Sequence, residues 1–441
     1  MSRKEILEHL NLKYEAVKDR IDSGIEQNRK GDFKVTLKNA DGTPAAGVTL
    51  TLKQKKHAFR FGANIFMLDE LETPEKNEVY KERFKSLFNM ATLPFYWSAT
   101  EPERGLLRYE KNSPPLYRRP TPDLCMEFCK ENGIEPREHG LAYGSQVHAF
   151  PTWVKSTTIE EEKKILEKRF QEISERYADD IPTIEVTNEM GKFVAQSNFY
   201  FEDDYLPFCY KLAEKYFPKN QIGINEDSNA TWNSTDGKWA RYYMTIDKLL
   251  NMGCRIDAIG MQYHMFYRLE EEMKRTKHFY NAAHLLWILD TYATFGKPIQ
   301  ITEITIPAYS WGAEDELIQA EILEKLYKLW FSHPAVEQII YWNLVDGYAH
   351  AAEPGDMTAG ENYYHGGLLR FDMSKKPAFE ALDRLINHEW RTETAVTTDT
   401  AGEASFRGFY GEYEYTVEQD GVTKTGTVTL DKSALHAELR I

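Results

Sequence analysis

The chain is poor in cysteine, has no long apolar run and carries no basic surplus, and each shortage narrows what it can be. Four cysteines in 441 residues (Cys125, Cys129, Cys209 and Cys254) are too few for a disulfide framework. Cys125 and Cys129 lie four apart on an expected helix, with no Cys/His pair at zinc-finger spacing, so they read as buried free thiols. No window is long enough to span a membrane. The start, Met1-Ser2-Arg3-Lys4-Glu5, turns charged at once and shows no signal peptide. A cytoplasmic protein and an exported one whose signal was removed both fit. The formal net charge of −15 disfavours a nucleic-acid partner, because no cationic surplus exists to neutralise phosphates. It also argues against a polyanionic substrate unless positive charge is gathered locally. Short-period repeats and low-complexity tracts are missing too.

Hydrophobic residues make up 42% of the sequence, which excludes global disorder and supplies a sizeable core. Aromatics reach 13%, an excess that fits either a sugar-binding cleft or a tightly packed interior. Residues 3–28 read as one amphipathic helix through Ile6, Leu7, Leu10, Tyr14, Val17 and Ile21. The period then falls to two. Phe33, Val35 and Leu37 alternate with polar residues, and Val48, Leu50 and Leu52 do so after the turn Asp41-Gly42. The same texture returns at the far end, around Ala404, Phe406, Tyr413, Tyr415 and Val417, the turn Asp420-Gly421, then Val428 and Leu430. Neither end has enough strands for a stable core. They are expected to join as one β-sandwich module, from residues 1–56 and 391–441, around a central domain at 57–390. Two separate small domains are the alternative.

Between 57 and 390, strands and helices alternate, which is the texture of βα units on a parallel sheet. Eight candidate strands start near His57, Met90, Arg137, Pro182, Gln221, Ala258, Pro298 and Val336. Eight is the number of a (β/α)8 TIM barrel, whose chemistry sits at the C-terminal strand ends. Two of those ends attract attention. Ile184-Glu185-Val186-Thr187-Asn188-Glu189 and Ile299-Gln300-Ile301-Thr302-Glu303 are β-branched runs that finish in a carboxylate. Two carboxylates facing one pocket are the minimum equipment for cleaving a glycosidic bond. The third strand is expected to run through His139 to Tyr143-Gly144-Ser145-Gln146, the sixth ends Gly260-Met261-Gln262-Tyr263-His264, and the eighth ends Tyr341-Trp342-Asn343. Five polar or aromatic strand ends converging on one face are hard to explain as packing, since an unpaired buried polar group costs about 1–3 kcal/mol.

The order and wording of these segments resemble glycoside hydrolase family 10, the endo-β-1,4-xylanase family, over roughly residues 57 to 390. Asn188-Glu189, Thr302-Glu303, Gly260-Met261-Gln262-x-His264 and Trp342 carry the resemblance, with Phe61-Gly62-Ala63 and Glu101-Pro102-x-Arg104-Gly105 in support. The resemblance implies a retaining mechanism with Glu189 as acid/base and Glu303 as nucleophile, no cofactor, and a β-linked polysaccharide or oligosaccharide as partner. It places His139, Asn188, Gln262, His264 and Trp342 around the reacting sugar. On that mechanism Glu303 is ionised and Glu189 is the carboxyl whose pKa must be raised.

The departures bear on the substrate. The family's Asn-Glu-Met-Lys-Trp segment, whose Asn and Lys hold the non-reducing sugars, aligns here with Leu93-Pro94-Phe95-Tyr96-Trp97. The third-strand Trp-His-Ser-Gln becomes Tyr143-Gly144-Ser145-Gln146, and a second Trp after the eighth strand aligns with His350. Tyr96, Tyr143 and Gln146 are therefore expected to join the substrate-binding set. Leu93, Phe95 and Tyr96 suggest a glycone pocket less polar than a xylanase's. That predicts weak activity on plain linear xylan and better activity on a decorated β-xylan oligosaccharide or another β-glycoside. Two other classes compete. In a metal-dependent hydrolase His139, Glu189, His264 and Glu303 would bind zinc, although no His-x-His or His-Glu-x-x-His spacing supports it. A carbohydrate-binding protein without catalysis would not need both carboxylates.

Overall fold

The computed structural model of the chain describes residues 3–144, 149–191, 197–233, 235–419 and 421–441. Ser145 and Gln146, the turn residue Asp420, and Met1 and Ser2 lie outside the described residues. Two strands, β1 (Lys30–Lys38) and β2 (Thr49–His57), come first. Eight more follow: β3 (Arg60–Asn64), β4 (Met90–Pro94), β5 (Glu135–His139), β6 (Thr183–Asn188), β7 (Gln221–Glu226), β8 (Ala258–His264), β9 (Ile299–Thr305) and β10 (Val336–Tyr341). They pair in chain order, and β10 pairs back onto β3, so the parallel sheet closes into a barrel. Helices wrap it. Every residue of β6 and β9 is buried, as expected of strands covered on both faces. The (β/α)8 barrel expected from the alternating pattern is the observed architecture.

Helix signals act as chemistry requires. Thr158 caps Ile159–Tyr177 by accepting from the Glu161 amide at 3.2 Å, and Leu166, Phe170, Ile173 and Tyr177 line the buried face. The third barrel strand is shorter than expected. β5 ends at His139, although Leu141 and Ala142 still bond to the Glu185 and Val186 carbonyls at 2.9 Å. The Glu185 amide donates instead to the Glu138 side chain at 3.1 Å, which interrupts the ladder.

The single helix expected over residues 3–28 is two helices, Arg3–Glu15 and Lys18–Arg29. Val17 leaves the helical region at φ −125° and ψ 8°, which re-aims the second helix. Both then lay apolar faces (Ile6, Leu10, Tyr14 and Ile21) on the barrel core rather than on the terminal strands. Arg29 fixes the join, donating to the His333 and Val336 carbonyls at 2.6 and 2.7 Å.

The last five strands are β11 (Glu393–Thr397), β12 (Glu403–Phe409), β13 (Gly411–Gln419), β14 (Val422–Leu430) and β15 (His436–Arg440). They form two sheets with the N-terminal pair, in the orders β12-β1-β15 and β11-β2-β13-β14. Phe33, Val35, Leu37, Leu50, Leu52, Tyr413 and others fill a core separate from the barrel's. Neither N-terminal strand pairs with the other, so each depends on the C-terminal strands for neighbours. Because β2 leads directly into the start of β3, these sheets meet the barrel at the N-terminal ends of its strands. Trp390 stacks on Phe331 there, with ring centroids 4.1 Å apart. His57 Nε2 lies 2.6 Å from the Trp390 carbonyl, and burial pushes the imidazole down to about 3, so it stays neutral. The opposite end of the barrel is left for the cleft.

Candidate active site

At the C-terminal strand ends lies a cleft of about 590 Å³. Glu303 near the end of β9 is 4% exposed and is reached from three directions. Its Oε1 accepts from Asn225 Nδ2 at 3.1 Å and from Gln262 Nε2 at 3.0 Å, and its Oε2 lies 3.1 Å from His264 Nε2. His264 is set by Thr305, whose hydroxyl is 2.9 Å from Nδ1. Asn225 is set by Thr302, which donates to its Oδ1 at 2.7 Å.

Glu189 follows the last residue of β6 with φ 52°, a left-handed conformation costly for a residue with a side chain. Its amide donates to the Asn225 carbonyl at 3.2 Å. The turn swings the carboxylate over the barrel axis, where Gln262 Nε2 lies 3.1 Å from Glu189 Oε1 and the same distance from Asn188 Oδ1. Tyr143 also hydrogen-bonds Glu189. One amide nitrogen therefore touches both carboxylates, at 3.1 and 3.0 Å. The two oxygens can be no farther apart than those lengths laid end to end. That is below the ~6.5–9.5 Å separation of an inverting pair.

Burial raises the Glu303 carboxyl to about 8; His139 opposes the shift, and Glu185 and Glu189 add to it. The sequence alone puts the raised carboxyl at Glu189; Glu303, deep in the barrel mouth, is raised by its own burial. Two carboxyls this close titrate as a pair. The three nitrogens that face Glu303 favour its charged form without cancelling the effect of burial.

Behind the cleft runs a buried ionic chain. Glu185 Oε1 lies 2.6 Å from His139 Nδ1, and its other oxygen accepts from Arg137. Burial opposes the charge on Glu185, but His139 and Arg137 outweigh it and hold the carboxyl below its ordinary range. Burial likewise opposes the proton on His139, but Glu185 raises the imidazole overall. His139 Nε2 lies 3.0 Å from the Tyr96 hydroxyl. Both ring nitrogens are thus engaged, which does not suit the zinc-ligand role considered for His139. Trp342 stands edge-on to His139 and His264, with centroids 5.5 and 6.0 Å away.

Of the residues expected to form the site, Glu189, Glu303, His139, Asn188, Gln262, His264, Trp342, Tyr143 and Tyr96 all line the cleft. Gln146 is not among the described residues. The apolar glycone wall is corrected: Leu93 and Phe95 are fully buried in the barrel core, and only Tyr96 of that segment reaches the cleft. Side chains alternate along a strand, so consecutive residues cannot all face one pocket. The supporting residues Asn225 and Glu185 went unread. Ile224-Asn225-Glu226 ends β7 in the same Asn-Glu form as Asn188-Glu189, and that repetition was the available signal. Arg118 and Arg119 sit in a loop with no strand to mark them.

Known proteins resemble this chain at low identity. It is 24% identical over 411 residues to the anti-sigma-I factor RsgI6 of Acetivibrio thermocellus, covering 92% of this chain and 47% of that protein. It is also 24% identical over 391 residues to endo-1,4-beta-xylanase 2 of Arabidopsis thaliana, covering 87% of this chain and 32% of that protein. The chain thus spans less than half the length of these two curated relatives. Among solved structures, xylanase 10B from Thermotoga maritima superposes with a TM-score of 0.59 at 22% identity, covering 75% of this chain and 96% of that one. The fold is therefore shared. The family model of glycosyl hydrolase family 10 matches residues 51–384. That span is well over half of the sequence, and the chain belongs to glycosyl hydrolase family 10.

Proposed function

We propose that this chain is a retaining β-glycoside hydrolase of the endo-1,4-β-xylanase type, with Glu303 as nucleophile and Glu189 as acid/base. The observation that carries the reading is the Gln262 amide in contact with both carboxylates. Glu303 attacks the anomeric carbon while the bond to the leaving oxygen breaks and Glu189 gives that oxygen its proton. The glycosyl–enzyme ester removes the negative charge of Glu303, so Glu189 is now free to ionise. It then takes a proton from the water that attacks the same carbon, and Glu303 is released. In this reading Asn188, held by Gln262, bonds the sugar 2-hydroxyl. Trp342 and Tyr143 supply apolar faces for the reacting sugar. The family membership supports this reading, as does a neighbouring structure, xylanase 10B from Thermotoga petrophila, described in complex with xylobiose.

The test is a pair of variants on two substrate types. Glu303→Gln should abolish activity on unactivated oligosaccharides and on aryl β-glycosides alike. Glu189→Gln should lose the first but keep part of the second, since a good leaving group needs little protonation. Equal loss on both by Glu189→Gln would void the role assignment.

A further inference from the structure

The net charge of −15 argues against an acidic substrate unless positive charge is gathered locally, and two adjacent guanidiniums are gathered at one part of this cleft. Arg118 and Arg119 stand side by side on one wall. Arg118 is buried; Nη2 donates to Asn343 Oδ1 at 3.0 Å, Nη1 donates to the Tyr348 carbonyl, and Nε has no partner among the described residues. Arg119 donates Nη1 to the Arg118 carbonyl at 2.8 Å and lies over the Tyr96 ring, 4.1 Å from its centroid. Neither guanidinium forms an ion pair among the described residues. The loop is anchored from below, where the Arg118 amide donates to the Glu70 carboxylate.

The local field is visible on a neighbour. His350 is held below the ordinary histidine range by burial and by these two arginines. The cleft also holds the carboxylates Glu189, Asp227, Glu303 and Glu361, with Arg275 as a third guanidinium; Asn343 and the His350 amide donate to Glu361 at 3.4 Å. Arg118, Arg119 and His350 also line a second cavity of about 510 Å³ beside the cleft, which Glu353 and Asp356 line as well. There is therefore room for a further sugar at the charged wall. Adjacent guanidiniums repel one another, and a planar carboxylate is the partner their fork geometry fits.

We propose that Arg118 and Arg119 form a carboxylate-binding subsite on the glycone side of the cleft, so that the preferred substrate carries a uronic acid there. This rests on the glycosidase reading for which side is glycone, since Tyr96 occupies the place of the family's sugar-holding lysine. The uronic acid is either a branch on a neutral backbone or a sugar of the backbone itself.

Equilibrium binding to the Glu303→Gln variant tests this without requiring turnover. Four probes are compared: xylotetraose, the same chain with a glucuronic acid branch, that branch with its carboxyl reduced to the alcohol, and a xylo-oligosaccharide ending in a uronic acid. At least one uronate probe should bind about tenfold or more tighter than its neutral counterpart. Which of the two does so identifies the source of the carboxylate. Adding Arg119→Gln should bring that ratio towards one, and Arg119→Lys should restore part of it. Equal affinity for all four probes would overturn the subsite, as would a preference that Arg119→Gln leaves untouched. A uronate preference without any hydrolysis by the unmodified protein would uphold the subsite and defeat the glycosidase reading.

Discussion

Asn225 donates to Glu303 Oε1 at 3.1 Å, and it can do so only because the residue beside it on β8 is glycine. A Cβ on Gly260 would stand 2.5 Å from Asn225 Oδ1 and 2.9 Å from the Ile224 carbonyl. Real Cβ atoms do not approach so closely, so the asparagine must move.

Gly260→Ala is therefore expected to act as a positioning change. Loss of one hydrogen bond to a charged group is worth about 1.5–3 kcal/mol, so kcat should fall roughly 10- to 100-fold. Gly260 is not among the residues that line the cleft, so KM for a short oligosaccharide should move far less. A fall in KM affinity with kcat intact would show that Asn225 does not serve the nucleophile.

Glu303 also makes stability depend on pH. Its folded pKa of about 8 lies above the ordinary carboxylate value of 4.5. Stability from this group is full below about 4.5, where both states are protonated. It is lost as pH rises towards 8, because the unfolded chain ionises first. Glu303→Gln is neutral throughout, so its Tm advantage over the unmodified protein should grow between these values and then level off. The scale is on the order of a few kcal/mol. A Tm difference that does not change from pH 4.5 to 8 would contradict the burial argument.

Glu185→Gln should lower the His139 pKa, because burial would then act without the neighbouring charge that now outweighs it. The change is read from the His139 ring resonance across a pH titration. An unchanged titration would mean that Glu185 does not set the charge of that imidazole.

The terminal strands are expected to fold as one module. Removing residues 393–441 takes both neighbours from β1 and both from β2, exposing Phe33, Val35, Leu50 and Leu52. The shortened chain should melt at lower temperature and aggregate through its bare strand edges. Melting like that of the intact chain would show the two ends to be independent.

Anomeric configuration gives a separate check on the carboxylate pair. Early product NMR should show net retention, as the shared contact with Gln262 requires of a close pair. Appearance of the opposite anomer first would mean that the carboxylates part when substrate binds.

Much of this was legible from local pattern. Buried parallel strands are β-branched runs, so Thr183–Asn188 and Ile299–Thr305 announced themselves, and so did the carboxylates near their ends. The period-2 texture at both termini likewise anticipated a sheet, since alternation is what a half-buried strand requires. What no local pattern carries is which distant side chains meet. The break at Val17, the chain Arg137–Glu185–His139, and the reach of Asn225 to Glu303 depend on packing between segments remote in sequence. Leu93 and Phe95 looked like a pocket wall because neighbours in sequence were read as neighbours in space; the pleat turned them into the core. Arg118 and Arg119 lie in a loop without periodicity, in a chain of net charge −15, and only closure of the barrel gathered them beside Tyr96. The strands and their chemistry follow from period and composition. The charge and shape of the cleft were decided by the tertiary structure, because electrostatics acts through space and not along the chain.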